Sequence, residues 1–161
     1  GVGVGPQVNV IRYDPSAPLH GRYVVDFNYL NADEWKQASM TTRIINAFFC
    51  WDFNSCEMLR KADILHPIDF ANACPDSQVT SLHYHFPWLV KALLRWSIFC
   101  ATTKRKMRLN QNWQPYLDIA DTDLPFSEKL LALALIWCSR TLRMLTQQTE
   151  KQNLHTGRRR L

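Results

Sequence analysis

The sequence predicts an α/β fold of the α+β type, a mainly antiparallel sheet with helices packed on it and a helical extension behind it. Three observations carry this: two short strands joined by a turn within residues 52–76, a helix-opening signal at Asn31 and Glu34, and helical apolar spacing over residues 87–103. At 161 residues, with 47% hydrophobic and 12% aromatic content, the chain is long enough for one cored domain with an appendage. The expected division is a domain over 1–104, a linker over 105–124, a helical extension over 125–149 and a loose tail over 150–161.

The chain opens on alternating Gly and Val over residues 1–5, without the Gly-Lys-Ser/Thr ending that a phosphate loop needs. A start without Met is expected of a fragment whose upstream part is missing. Residues 8–13 read as one strand, with Val8, Val10 and Arg12 on one face, ended by Pro15 and Pro18. Residues 22–27 read as a second short strand. Asn31, followed three residues later by Glu34, has capping-box spacing and opens a helix with Trp35, Ala38, Ile45 and Phe49 near its apolar face.

The two strands within 52–76 follow. With Ala62, Asp63 and Ile64 as their loop, Lys61 faces Leu65 and Glu57 falls directly across from Asp69. Directly opposed residues share a face, and like charges so placed destabilise the pair unless a cation lies between them or one is protonated. Asn72 is an odd number of residues past Asp69, so it joins that face only if the chain bulges or turns near it. Glu57, Asp69 and Asn72 are thus candidate oxygen ligands for a hard cation such as Mg²⁺, which keeps some waters and also takes phosphate oxygens.

Residues 77–85 read as a loop, and Pro87 suits the first turn of a helix to about Thr103, with Leu89, Leu93, Trp96 and Cys100 on one side and Val90, Leu94 and Ala101 widening the apolar face. Asp123 with Pro125 marks the start of a last helix, to about Gln148, carrying Leu130, Leu131, Leu133, Leu135, Trp137 and Leu142.

The formal charge of +5 comes from short clusters: Lys104, Arg105, Lys106, Arg108 and Arg158 to Arg160 supply more than the excess. A basic stripe with interleaved aromatics is absent, so the charge argues against nucleic acid as the main partner. The five cysteines are widely spaced, with no C-x-x-C pair and no signal peptide ahead of them, which suits free thiols in a reducing compartment. The longest apolar run is too short to span a membrane. A soluble cytoplasmic protein is expected. His83 and His85 flank Tyr84, and no further His or Cys completes a zinc set.

At NSCEMLRKADILHPIDFANACPD the chain resembles the carboxyl-terminal part of the ATP-grasp fold, in particular bacterial proteins related to the glutathione synthetase group. These carry an Asn-x-x-Glu strand, a turn, and a strand ending in Ile-Asp-Phe-x-Asn-Pro-x-Pro-Asp. The resemblance runs from about Val8, through RYDPSAPLHGRYV, to the helix ending near Thr103, and rests on the ordered series of motifs. Ala73 stands where the family has Pro, and its more common Glu-x-Asn spacing appears as Asp69-x-x-Asn72.

The resemblance implies that Glu57, Asp69 and Asn72 hold Mg²⁺ bridging the phosphates of ATP. It implies that Arg12 contacts phosphate or an acyl-phosphate intermediate, and Asp76 is a further candidate on the substrate side. The implied function is an ATP- and Mg²⁺-dependent carboxylate–amine or carboxylate–thiol ligase, with ATP and a small carboxylate as substrates. The nucleotide-binding subdomain is not in this chain, so the chain alone is not expected to be competent. The contrasting expectation is a non-catalytic interaction domain that binds a protein or nucleic acid through its basic clusters and last helix.

Overall fold

The computed structural model describes residues 1–107 and 112–138. Two compact units are present, Gly1–Gln111 and Asn112–Leu161. The first is an α+β domain: an antiparallel four-stranded sheet with helices packed on it, and a separate two-stranded ribbon.

The sheet order is β2-β1-β5-β6, built from β1 (Val2–Val4), β2 (Gln7–Asn9), β5 (Phe53–Lys61) and β6 (Ile64–Asn72). The ribbon pairs β3 (Arg12–Tyr13) with β4 (Tyr23–Val24). The Gly/Val opening is therefore a central strand, and its alternation has a packing cause. A Cβ at Gly3 would meet the Asn46 side chain and one at Gly1 would meet Thr42, so the glycine face admits helix α1 (Ala32–Phe49) at close range. Val4, on the other face, is fully buried in a core with Leu82, Leu89 and Ala92. One strand thus carries a helix on each side.

The predicted single strand over 8–13 is two strands in separate sheets: β2 ends at Asn9, and β3 begins at Arg12 to pair with β4. Alternation does not reveal where a strand leaves its sheet.

Helix α1 begins as predicted. Asn31 accepts from the Glu34 backbone N–H at 2.9 Å and the Glu34 carboxylate accepts from Asn31 N–H at 2.9 Å, the two halves of a capping box. Its inward face is only in part the predicted one: Ala38 is buried, while Ile45 and Phe49 are half-buried. Trp35 is exposed, whereas Glu34, Ser39, Thr42 and Asn46 are buried with Ala38, Ile44 and Ala47. Small and polar residues face the sheet because the glycines opposite leave little depth. The polar groups partly satisfy one another: Thr42 donates to the Ala38 carbonyl at 2.9 Å, Asn54 Nδ2 donates to Asn46 Oδ1 at 2.9 Å, and Glu34 pairs with Arg60 at 3.0 Å.

Residues 77–85, expected as loop, contain the short helix α2 (Val79–Leu82) and a 3₁₀ turn at His83–His85. Helix α3 (Phe86–Thr102) follows, with Pro87 in its first turn. Leu89 and Ala92 form its buried edge, while Val90, Leu94 and Ala101 are exposed, so the apolar face is narrower than the spacing suggested. Arg105, from the basic run behind α3, has a largely covered side chain. It makes two bonds to the Asp52 carboxylate, at 2.7 and 2.8 Å, and its guanidinium lies 4.8 Å from the centre of the Trp96 ring. That cation clamps the end of α3 to the start of β5 and is not a surface charge.

In the second unit, helix α4 (Gln114–Ala120) lies within the stretch expected as linker. A helix starts at residue 126 and continues to residue 138, and Tyr116 and Leu130 are buried. The remainder of the predicted last helix, the tail and Arg158 to Arg160 lie outside the described residues. No described helix is long and apolar enough to cross a membrane.

Candidate functional site

The β5–β6 hairpin places the candidate ligands. Its loop is two residues, Ala62 and Asp63, with φ of +49° and +60°, so Lys61 pairs with Ile64 where Leu65 was expected. Glu57 nevertheless pairs with Asp69. The one-residue difference at the loop is absorbed by an irregularity between Glu57 and Met58, where the partner steps from Asp69 to Pro67. Pro67 has no N–H to give a ladder, which suits a bulge.

A second irregularity follows. From Glu57 to Ser55 the partner moves from Asp69 to Asn72, three residues on β6 against two on β5. Asn54 Nδ2 donates to the displaced Phe70 carbonyl at 3.0 Å while also bonding Asn46, so the extra residue is fixed by a fully buried amide. The consequence is the one the sequence made conditional. Paired residues share a face, so Ser55, Glu57, Asp69 and Asn72 all lie on the face opposite α1, and Asn54 and Cys56 point toward α1.

Among the described residues, neither Glu57 nor Asp69 is ion-paired to a basic side chain. Among the described residues, no group of three or more His, Cys, Asp or Glu gathers as a metal cluster. The set is two carboxylates and an amide, with the Ser55 hydroxyl beside them. All are hard oxygen donors, which fits a cation that keeps water or phosphate in its other positions.

Arg12, Glu57 and Asp76 line one cavity of about 480 Å³, together with Tyr13, Tyr23 and Tyr29. Asp69 and Asn72 are not among its lining residues. Arg12 is about half exposed and donates to Asp26 at 2.7 Å, which holds the Asp26 carboxyl below the usual carboxylate range. Asp76 accepts from the Gln78 N–H at 2.9 Å, a turn-forming bond. Burial pushes the Tyr23 phenol up, and Asp76, Tyr13 and Glu57 add to the effect, so both carboxylates act on that hydroxyl. Burial, with the Asp26 charge, pushes Tyr29 to about 12, and among the described residues its hydroxyl has no hydrogen-bond partner.

Ser55 and the three tyrosines were not singled out by sequence reasoning. Ser55 had a usable signal, two residues before Glu57 on one strand; the tyrosines had none, because the β3–β4 ribbon that pairs Tyr13 with Tyr23 was not read as a ribbon and Tyr29 reaches them from the segment before α1. His85 is buried with Nε2 3.3 Å from the Val24 carbonyl, a structural contact.

Compared with protein-family models, with curated proteins and with solved structures, the chain matches none.

Proposed function

We propose that this chain is the metal-binding part of an ATP- and Mg²⁺-dependent carboxylate–amine or carboxylate–thiol ligase of the ATP-grasp type, inactive without a nucleotide-binding part. The observation that carries the reading is the double irregularity of β6. It brings Asn72 to the face already holding the opposed Glu57 and Asp69. Two carboxylates and an amide on a sheet face, with water-accessible positions left, suit Mg²⁺ that also takes phosphate oxygens.

In this reading Glu57, Asp69 and Asn72 hold the ion, and Ser55 orients a water or phosphate oxygen beside it. When bound, Mg²⁺ would neutralise phosphate charge as the γ-phosphoryl group moves from ATP to a substrate carboxylate oxygen with ADP as the leaving group. The Arg12 guanidinium attracts the acyl-phosphate that results and leaves Asp26 to do so. Asp76 stands on the substrate side of the same cavity.

The test is ATP turnover by the whole protein of which this chain is proposed to be a part. Glu57→Gln combined with Asp69→Asn is expected to remove Mg²⁺-dependent turnover while leaving the fold intact by circular dichroism. Unchanged turnover contradicts the assignment.

A further inference from the structure

Helix α3 carries apolar side chains outward as well as inward. Its buried edge is Leu89 and Ala92, which cluster with Val4 of β1 and with Leu82. At about 100° per residue, Val90, Leu94, Ile98 and Ala101 form one row on the opposite side of the helix, facing away from β1. All four are exposed, Leu94 at 57% and Ile98 at 61%, and Met107 just past the helix is exposed as well. Single apolar residues on a surface are ordinary, whereas a contiguous row marks an interaction face.

The charge around this row has one sign. From Ser77 to Leu117 the chain holds no Asp or Glu, so all 14 of its acidic residues lie elsewhere in the sequence. Lys91 and Arg95 form the row beside Val90, Leu94 and Ile98, and Lys104 and Lys106 follow the end of the helix; all four are exposed. Among the described residues none of these four is ion-paired. Arg105, between the last two, is instead held by Asp52. An apolar protein surface would match the row and leave the four cations unmatched. A nucleic acid would match the cations and set Leu94 and Ile98 against phosphate and sugar. The surface of an anionic bilayer matches both, since acyl chains take up the apolar row and headgroup phosphates take the cations.

We propose that the outer face of α3 seats the domain on a bilayer surface rich in anionic phospholipid, with the helix axis in the plane of the headgroups. Leu94 and Ile98 enter the acyl boundary, with Val90 and Ala101 beside them. The long stems of Lys91 and Arg95 lie along the apolar row and carry their charges out to the phosphates. The helix rests on the surface and does not span it, and no described helix is long and apolar enough to cross a membrane. Two exposed leucine-sized side chains and four cations make the attachment reversible and sensitive to salt. The ligase reading is not needed for it.

The test is co-sedimentation of the 161-residue chain with vesicles of phosphatidylcholine alone or mixed with phosphatidylglycerol. Binding to the mixed vesicles is expected to be about tenfold stronger or more, and to weaken as salt is raised. Lys91→Gln with Arg95→Gln is expected to lower it about tenfold, and Leu94→Ser with Ile98→Ser by a similar factor. Leu94→Trp is expected to tighten binding and to shift its fluorescence to the blue on vesicles, a gain that misfolding does not produce. Arg158→Gln, Arg159→Gln and Arg160→Gln together are expected to leave binding unchanged. No binding to the mixed vesicles overturns the proposal. Binding that ignores both Leu94 and Ile98 substitutions is plain attraction to anions, of the kind a nucleic acid would also show, and overturns it too. Binding lost with the three arginine substitutions alone moves the contact to the end of the chain and overturns the assignment to α3.

Discussion

Glu57 and Asp69 stand directly opposite each other across β5 and β6, with no basic side chain paired to either among the described residues. Opposed like charges oppose strand pairing. In chelator, Glu57→Gln is therefore expected to stabilise the chain by about 0.5 kcal/mol, raising the melting temperature by a few degrees. Added Mg²⁺ is expected to raise the melting temperature of the unsubstituted chain and leave that of the variant unmoved. A calorimetric scan with and without Mg²⁺ reads both effects.

Asn54 links the fold to this face. It is fully buried, and its Nδ2 holds both Asn46 Oδ1 and the Phe70 carbonyl, the group displaced where β6 carries its extra residue. Asn54→Ala leaves two buried acceptors unmatched and is expected to cost about 1–3 kcal/mol in urea unfolding. It also frees the β6 irregularity, so any Mg²⁺-induced stabilisation is expected to shrink even though no ligand has been changed.

The same observations show what was legible in the chain. Asn31 and Glu34 marked the α1 cap because a capping box is a local exchange of bonds, readable at fixed spacing. The Glu57–Asp69 pair was legible as well, although by a three-residue loop where the hairpin has two residues and a bulge. The alternation around Asp69 and Asn72 gave no position for the extra residue, since that is fixed by Asn54, eighteen positions upstream of Asn72 in sequence but adjacent in space. Strand β1 was missed because its glycines answer to Thr42 and Asn46 on a distant helix. Trp35 was expected inside because its apolar character was read without the shallow, glycine-lined surface that faces α1.

Cys56 and Cys74 should differ in reactivity. Cys56 is buried beneath α1, and burial raises its thiol from 9.0 to about 11, with Asp69 and Glu57 adding to the rise, while Cys74 is exposed. The thiolate is the reactive form, so iodoacetamide at pH 8 is expected to label Cys74 first and Cys56 only on unfolding. The sign of the stability effect follows from the same shift. The folded thiol holds its proton to higher pH than the unfolded one, so this contribution is complete below about pH 9 and is lost as pH rises through about 11. Cys56→Ala is expected to flatten the fall in stability over that window, as read by urea melts at a series of alkaline pH values.

Glu57, Asp69 and Asn72 are proposed to form one cation site. Paramagnetic broadening of backbone amide signals by Mn²⁺ in the isotope-labelled 161-residue chain measures it most directly. Amides at Ser55, Glu57, Asp69 and Asn72 are expected to broaden first, excess Mg²⁺ to restore them, and Glu57→Gln with Asp69→Asn to abolish the effect. Broadening that is absent from these four, or that is centred elsewhere in the chain, would contradict it.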